Sequence, residues 1–218
     1  MKTKLIAFSI AFAALLLGSL IVLFIPNEAI TKLNFTAPLA DTGGLFVSVS
    51  KGQATVLVDG TDFGTTPQTI SQLPVGQHHV ELMKISENPS FYGKQTFVIN
   101  VVKNAEVVIN VELLPDDEFA GYIISFDEKL PDSPDQPTVS ILCMPSDAEV
   151  FLDGISVGIA PLQNLPLSEG EHDIRLHAEG YEDLQFTLKA EPGYNLNIRT
   201  KLQPIPIEQQ TNENSHDS

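Results

Sequence analysis

The sequence is poor in two residues that often stabilise small domains or form their binding surfaces: it has no tryptophan and a single cysteine, Cys143. One thiol excludes an intramolecular disulfide, so a disulfide framework is ruled out. A free cysteine is usually a buried, apolar residue, and we predict that Cys143 lies in a core. The missing tryptophan removes the side chain that sugar-binding platforms favour, which favours protein over carbohydrate partners.

Positive charge is also scarce. The chain has 12 Lys and Arg against 28 Asp and Glu, for a net charge of −16. No basic stripe occurs after residue 4. Because nucleic-acid phosphates are bound by clustered lysines and arginines, this distribution excludes nucleic acid as a partner.

Signatures of catalysis and of metal binding are missing from the sequence as well. It has no Gly-x-Ser-x-Gly, His-Glu-x-x-His or P-loop pattern and no calcium-binding loop. His78 and His79 are adjacent, so on a strand they point to opposite faces and cannot share a metal. A zinc site needs three or four converging ligands. We therefore predict a non-enzymatic protein with no catalytic, cofactor-binding or metal-binding residues.

The one long apolar run lies at the N-terminus. Residues 5–25 (LIAFSIAFAALLLGSLIVLFI) carry no charge, and a helix of that length crosses a hydrocarbon core of about 30 Å. Lys2 and Lys4 precede the run, which places the N-terminus in the cytoplasm by the positive-inside rule. The alternative is a cleaved signal peptide, whose apolar region is usually only about 7–15 residues long. In either case the sequence predicts that the rest of the chain is exported.

The remainder of the chain contains a duplication. Residues 54–60 (ATVLVDG) return as residues 148–154 (AEVFLDG), and the same spacing relates His78 to His172. The matched turn formers are Asp59, Gly60, Gly64, Pro67 and Gly76 in the first copy and Asp153, Gly154, Gly158, Pro161 and Gly170 in the second.

Each copy has the pattern of strands and tight turns. Apolar residues alternate with polar ones in segments 106–113 and 195–202, so one face packs on a core and the other meets water. Asp-Gly after an apolar run supplies the positive φ values that a tight hairpin needs. Asp59 and Asp153 are therefore interpreted as turn residues, and the matched His78 and His172 as partners in turn-stabilising hydrogen bonds.

These patterns predict an all-β fold with two tandem small antiparallel β-sandwich domains after one N-terminal transmembrane helix. The predicted segments are a cytoplasmic stub (1–4), an anchor or uncleaved signal (5–25), a spacer (26–44), the first β-domain (45–115), an acidic proline-containing linker (116–137), the second β-domain (138–203) and a disordered tail (204–218). Within the linker, residues 122–126 (YIISF) fit either an added strand or a docking segment. Because the copies are duplicates, we expect each to have its own core and residues 138–203 to fold alone.

The turn formers named above also carry a family resemblance. The pattern V-x-V-D-G-x-x-x-G-x-x-P followed by L-P-x-G-x-H-x-V resembles the PEGA domain of bacterial and archaeal surface proteins. It covers about 45–115 and 138–203, although neither copy spells Pro-Glu-Gly-Ala. The resemblance implies a small β-sandwich used outside the cytoplasm as an accessory or adhesive module, without catalytic activity.

Taken together, the predictions favour a membrane-anchored surface or envelope protein whose tandem domains bind another envelope protein or a cell-wall polymer. Two alternatives stay open at this point: a structural scaffold subunit of an envelope assembly, and a secreted carbohydrate-binding accessory protein. The side chains expected to be exposed and available for such contacts are Tyr92, Tyr122, Tyr181 and Tyr194.

Overall fold

The computed structural model describes residues 41–87, 91–116, 118–130 and 135–206. The predicted stub and anchor (1–25), most of the predicted spacer (26–40) and most of the tail (207–218) lie outside these residues. Within the described ranges, none of the helical segments has the length and hydropathy needed to cross a bilayer.

The described residues form fifteen strands, seven in each copy and one between the copies. The strands of the first copy are β1 (Thr42–Val49), β2 (Gln53–Val58), β3 (Thr61–Thr65), β4 (Gln68–Pro74), β5 (Gly76–Ile85), β6 (Gln95–Val101) and β7 (Glu106–Leu113). The intervening strand is β8 (Phe119–Glu128). The strands of the second copy are β9 (Thr138–Met144), β10 (Glu149–Leu152), β11 (Ile155–Ile159), β12 (Leu162–Pro166), β13 (Gly170–His177), β14 (Leu184–Ala190) and β15 (Tyr194–Lys201).

Each copy is a β-sandwich with its own core. In the first copy the four-stranded sheet β3-β2-β5-β6 packs on β4-β1-β7, and in the second β11-β10-β13-β14 packs on β12-β9-β15. Strands such as β6 and β14 bury every second residue, because successive side chains of a strand point to opposite faces. Cys143 is buried in the second core, as predicted.

The prediction of wholly antiparallel sandwiches is wrong for one strand pair in each copy. The first and last strands, β1 with β7 and β9 with β15, pair in parallel. The alternation of apolar and polar residues shows which face of a strand is buried, and it holds no information on the direction of the neighbouring strand.

Strand β8 joins the two copies into one continuous sheet. It pairs antiparallel with β7 on one side and with β15 on the other. The resulting seven-stranded sheet has the order β12-β9-β15-β8-β7-β1-β4, and we call it the shared sheet. Residues 122–126, which the sequence leaves as a strand or a docking segment, thus lie within a central strand.

The two cores lie on opposite faces of the shared sheet. Ile123 lies opposite Ile109 and belongs to the first core, whereas Ile124 lies opposite Ile198 and belongs to the second. Neighbouring residues of a strand face opposite ways, so the four-stranded sheets of the two copies cover opposite sides of the shared sheet. The stacking of Tyr122 on a side chain of β14, with ring centroids 4.0 Å apart, fits this arrangement.

Gly121 allows β8 to lie close to β7. Its φ is 129°, and a Cβ at this position would lie 2.3 Å from the backbone carbonyl oxygen of Asn110. Only glycine combines this φ with such an approach of two backbones. Gly121 is not among the turn formers predicted from the sequence.

Candidate functional site

The Asp-Gly pairs form the β2–β3 and β10–β11 hairpin turns. Asp59 and Gly60 have φ values of 49° and 79°, and Asp153 and Gly154 have φ values of 51° and 79°. Positive φ at both central residues is the property of a type I′ turn, whose twist matches that of the flanking strands.

The other predicted turn formers lie at the ends of strands or in distorted strand segments. Gly76 and Gly170 begin β5 and β13 with φ values of 133° and 125°. Gly64 and Gly158 lie in β3 and β11 with φ values of 96° and 134°, and the register of each strand against its neighbour shifts close by. Pro67 and Pro161 follow cis peptide bonds just before β4 and β12.

Each turn aspartate is held by the strand that lies next to its hairpin. In the first copy, Asp59 Oδ1 accepts a hydrogen bond from the His79 N–H at 2.9 Å, and its Oδ2 lies 2.6 Å from His78 Nδ1. In the second copy the Asp173 N–H and His172 Nδ1 contact Asp153 at 2.9 and 2.7 Å. The duplicated carboxylate therefore ties the hairpin turn to β5 or β13.

Both histidines are buried, and each uses its second ring nitrogen on a backbone carbonyl. His78 Nε2 lies 2.7 Å from the carbonyl oxygen of Pro74, and His172 Nε2 lies 3.0 Å from that of Ser168. Carbonyl and carboxylate oxygens only accept hydrogen bonds, so this geometry is fully satisfied when both ring nitrogens carry protons.

The second-copy pair has perturbed pKa values that agree with this geometry. Burial by itself lowers the pKa of His172, but the hydrogen bonds to Asp153 and Ser168 and the charge of Asp153 outweigh it, and the net pKa is raised. The hydrogen bond from His172, followed by that from the Asp173 backbone, lowers the pKa of Asp153. In the first copy the hydrogen bonds from the His79 backbone and the His78 ring lower the pKa of Asp59.

Asp153→Asn should have an effect that depends on pH. A histidine whose pKa is raised on folding stabilises the fold below its unfolded pKa of about 6.5, and this contribution is lost as pH rises through the folded value. At pH 8.5 an asparagine keeps the turn and can donate to neutral His172, so we expect a loss below about 0.5 kcal/mol. At pH 5.5 the charged hydrogen bond is missing, and we expect a loss of about 1 kcal/mol, a modest value because Asp153 is half exposed.

Urea unfolding at the two pH values measures this difference. Glu171→Gln is the matched control, because it removes the same charge beside His172 from an exposed side chain. Equal losses at both pH values would contradict a stabilising role of the charged pair.

Ser168, His172 and Asp153 stand in the order of a serine-hydrolase triad, with Ser168 Oγ 3.2 Å from His172 Nε2. A general base needs an unprotonated nitrogen toward the hydroxyl. Here the same nitrogen faces the Ser168 carbonyl oxygen, which requires a proton on it. The first copy has the same contact with the carbonyl of Pro74, a residue without a hydroxyl. The geometry therefore favours a structural role for the array.

The described residues contain no group of three or more His, Cys, Asp or Glu side chains arranged to hold a metal ion.

The four tyrosines expected to be exposed are all partly buried. The reason is that several have partners within the fold: Tyr122 stacks on Phe186, Tyr194 donates to the Lys103 carbonyl, and Lys84 lies over the Tyr92 ring. The expectation of exposed tyrosines is thus wrong.

The seam between the copies carries a concave surface. Two hollows of about 310 and 320 Å³ lie along it, each lined by residues of β14 and β7. The first is the more apolar and includes Val108, Ile124 and Phe126. Sequence reasoning missed this seam, although two adjacent isoleucines in β8 signal a strand that is buried on both faces.

Comparison with known proteins gives one informative match. A family model described as PEGA domain matches residues 42–116 and 136–206. No curated protein matches the chain. A solved chain from "Structures of Clostridium thermocellum CbhA fibronectin(III)-like modules" is similar at 11% identity, covering 76% of this chain and 93% of its own, with a TM-score of 0.17. Because the two matches to the family model cover more than half of the sequence, this chain belongs to the PEGA domain family.

Proposed function

We propose that this chain is a non-enzymatic, membrane-anchored protein of the cell envelope whose two PEGA domains bind another envelope protein outside the cytoplasm. The observation that carries the proposal is the seam. Strand β8 pairs with both copies, so the two domains share one sheet. Each hollow therefore has one wall from β7 of the first copy and another from β14 of the second. A preformed concave surface on rigid strands is the property of a binding module.

Sequence features support the proposed location of the two domains, anchored to a membrane and outside the cytoplasm. The uncharged run 5–25 behind two lysines is typical of an anchor with the N-terminus inside. The family resemblance favours the same compartment. The partly buried tyrosines, together with the absence of tryptophan, favour a protein partner over a carbohydrate.

A membrane-impermeant, lysine-reactive cross-linker applied to intact cells tests location and binding together. Lys51 and Lys189 border the hollows and have exposed side chains, so they are available to the reagent. We expect the tagged chain to be cross-linked from outside to one or a few defined proteins. The matched control is the double variant Lys51→Arg with Lys189→Arg, which keeps both charges but removes two reactive amines, and we expect a severalfold lower yield.

Three results would contradict the proposal. Reaction only after cell lysis would place the domains inside the cell. Recovery of the chain in the medium would show a cleaved signal. Labelling of the chain without a cross-linked partner would remove the binding role.

A further inference from the structure

Strands β6 and β14 occupy equivalent edges of the two four-stranded sheets. Each edge lies beside the part of the shared sheet that belongs to the other copy. Arg199 of β15 reaches the backbone of Val98 in β6, and residues of β7 and β14 line the same two hollows. The chain therefore has two seam grooves, one under each edge.

The backbone groups of Thr187 point out of the β14 edge. Its partner across β13–β14 is Asp173, whose N–H donates to the Asp153 carboxylate and whose carbonyl accepts from the Asp153 N–H. Both backbone groups of Asp173 are thus turned toward β10. In an antiparallel ladder, when one residue of an opposite pair turns its N–H and carbonyl away from the pair, its partner does the same. The N–H and carbonyl of Thr187 therefore point into the groove.

The equivalent residue of the first copy is Val98, and its edge is closed. His79, which lies opposite Val98, is likewise turned toward β2 by Asp59. The outward carbonyl of Val98 accepts a hydrogen bond from Arg199 Nη2 at 3.0 Å. An arginine of the second copy therefore covers this edge.

The β14 edge lacks such a cover. Asn110 is the residue of β7 that corresponds to Arg199 of β15, so a short amide side chain stands at the position of the long guanidinium. No side chain of the described residues donates a hydrogen bond to the Thr187 carbonyl. An edge strand with free backbone groups is a template for a further strand.

The floors of the two grooves differ in polarity. Beside β14 the outer face of the shared sheet presents the neighbours Phe46 and Val108. At the equivalent positions the second copy presents Ser140 and Asn197. The open groove is thus apolar at its first hollow, beside Val108, whereas the equivalent positions of the closed groove are polar.

The charges along the open groove favour a basic occupant. Glu106 and Glu182 line the two hollows, and neither forms an ion pair with a described residue. The lysines of the hollows are already paired, Lys51 with Glu112, Lys189 with Glu191 and Lys201 with Glu118. A second copy of this acidic chain would be repelled, whereas a segment with lysine or arginine is attracted.

We infer that an extended segment of the partner protein adds to β14 as a fifth strand, with an apolar side chain over Val108 and a basic side chain toward Glu106 or Glu182. The inference rests on the proposed binding function and assigns its site. Backbone hydrogen bonds to the outward groups of Thr187 hold the segment, and the alternating side chains select it.

The test uses the full chain in detergent, held by a C-terminal tag, and a display library of random nine-residue peptides. We expect enrichment of peptides with alternating apolar residues and at least one lysine or arginine. An enriched peptide is then titrated against Asn110→Arg, which copies the closure by Arg199, and against Thr187→Pro, which removes the outward N–H. Both should weaken binding at least tenfold.

Val98→Pro is the matched control, because it makes the same change on the closed edge and should leave affinity within twofold. Neither proline removes a hydrogen bond between strands, so both variants are expected to fold. Amide hydrogen exchange at Thr187 should slow when the peptide binds.

Unchanged affinity in Asn110→Arg and Thr187→Pro would overturn the inference, as would the absence of any enriched peptide. A dimer that Thr187→Pro dissociates would show that a second copy occupies the edge, which also overturns it. If Asn110→Arg still cross-links to the envelope protein on cells, the binding function stands and this groove is not its site.

Discussion

Gly121→Ala should lower the free energy of unfolding of residues 41–218 by about 3–5 kcal/mol, a large effect for one methyl group. The new Cβ would lie 2.3 Å from the Asn110 carbonyl oxygen and 2.8 Å from the Val111 Cα, both backbone atoms of β7. Relief requires β8 and β7 to separate, which costs strand pairing as well as the strain of a positive φ. Urea unfolding followed by circular dichroism measures the change.

Gly76→Ala separates the two causes of this loss. Gly76 has a φ of 133°, close to the 129° of Gly121, but a Cβ there has no neighbouring atom within 4 Å. We expect this control to lose only about 1–2 kcal/mol from its backbone conformation. Equal losses at the two positions would show that the approach of β8 to β7 is unimportant for stability.

Residues 118–206 should unfold cooperatively, whereas residues 135–206, which lack β8, should not fold. Strand β8 gives the second core Ile124 and two partly buried aromatic side chains, and it covers the full length of β15. Losing one buried isoleucine side chain costs about 2–5 kcal/mol. At roughly 0.05–0.15 kcal/mol per residue, a domain of this size has only several kcal/mol of stability in total. Thermal melts of the two fragments measure the difference.

The first copy provides a matched pair, residues 41–116 and 41–130. Ile123 and Phe119 of β8 pack on its core, so the shorter fragment should be the less stable of the two. A cooperative melt of 135–206 equal to that of 118–206 would contradict the role given to β8. Such a melt would instead support the sequence-based expectation that residues 138–203 fold alone.

Local features of the fold could be predicted from the sequence because local chemistry determines them. Asp-Gly between two strands favours a type I′ turn, and alternation within a strand shows its buried face. The duplication of His78 and His172 similarly predicted a hydrogen bond to the turn, and the structure has one in each copy.

Long-range features could not be predicted in this way. The parallel pairs depend on where the chain returns after five strands, which no local pattern records. The acidic residues and prolines around β8 indicate a linker, and they hid a strand whose two isoleucines face different cores. The seam likewise depends on contacts such as that of Arg199 with Val98, which are distant in sequence.

The placement of the cores on opposite faces of the shared sheet determines whether the outer surfaces of the two four-stranded sheets can contact one target together. The two four-stranded sheets cover opposite faces of the shared sheet, although they derive from the same ancestral surface by duplication. A single flat target therefore cannot contact both equivalent surfaces, and the duplication yields no avidity for one plane. The equivalent surfaces of the two copies are reached from different sides of the shared sheet.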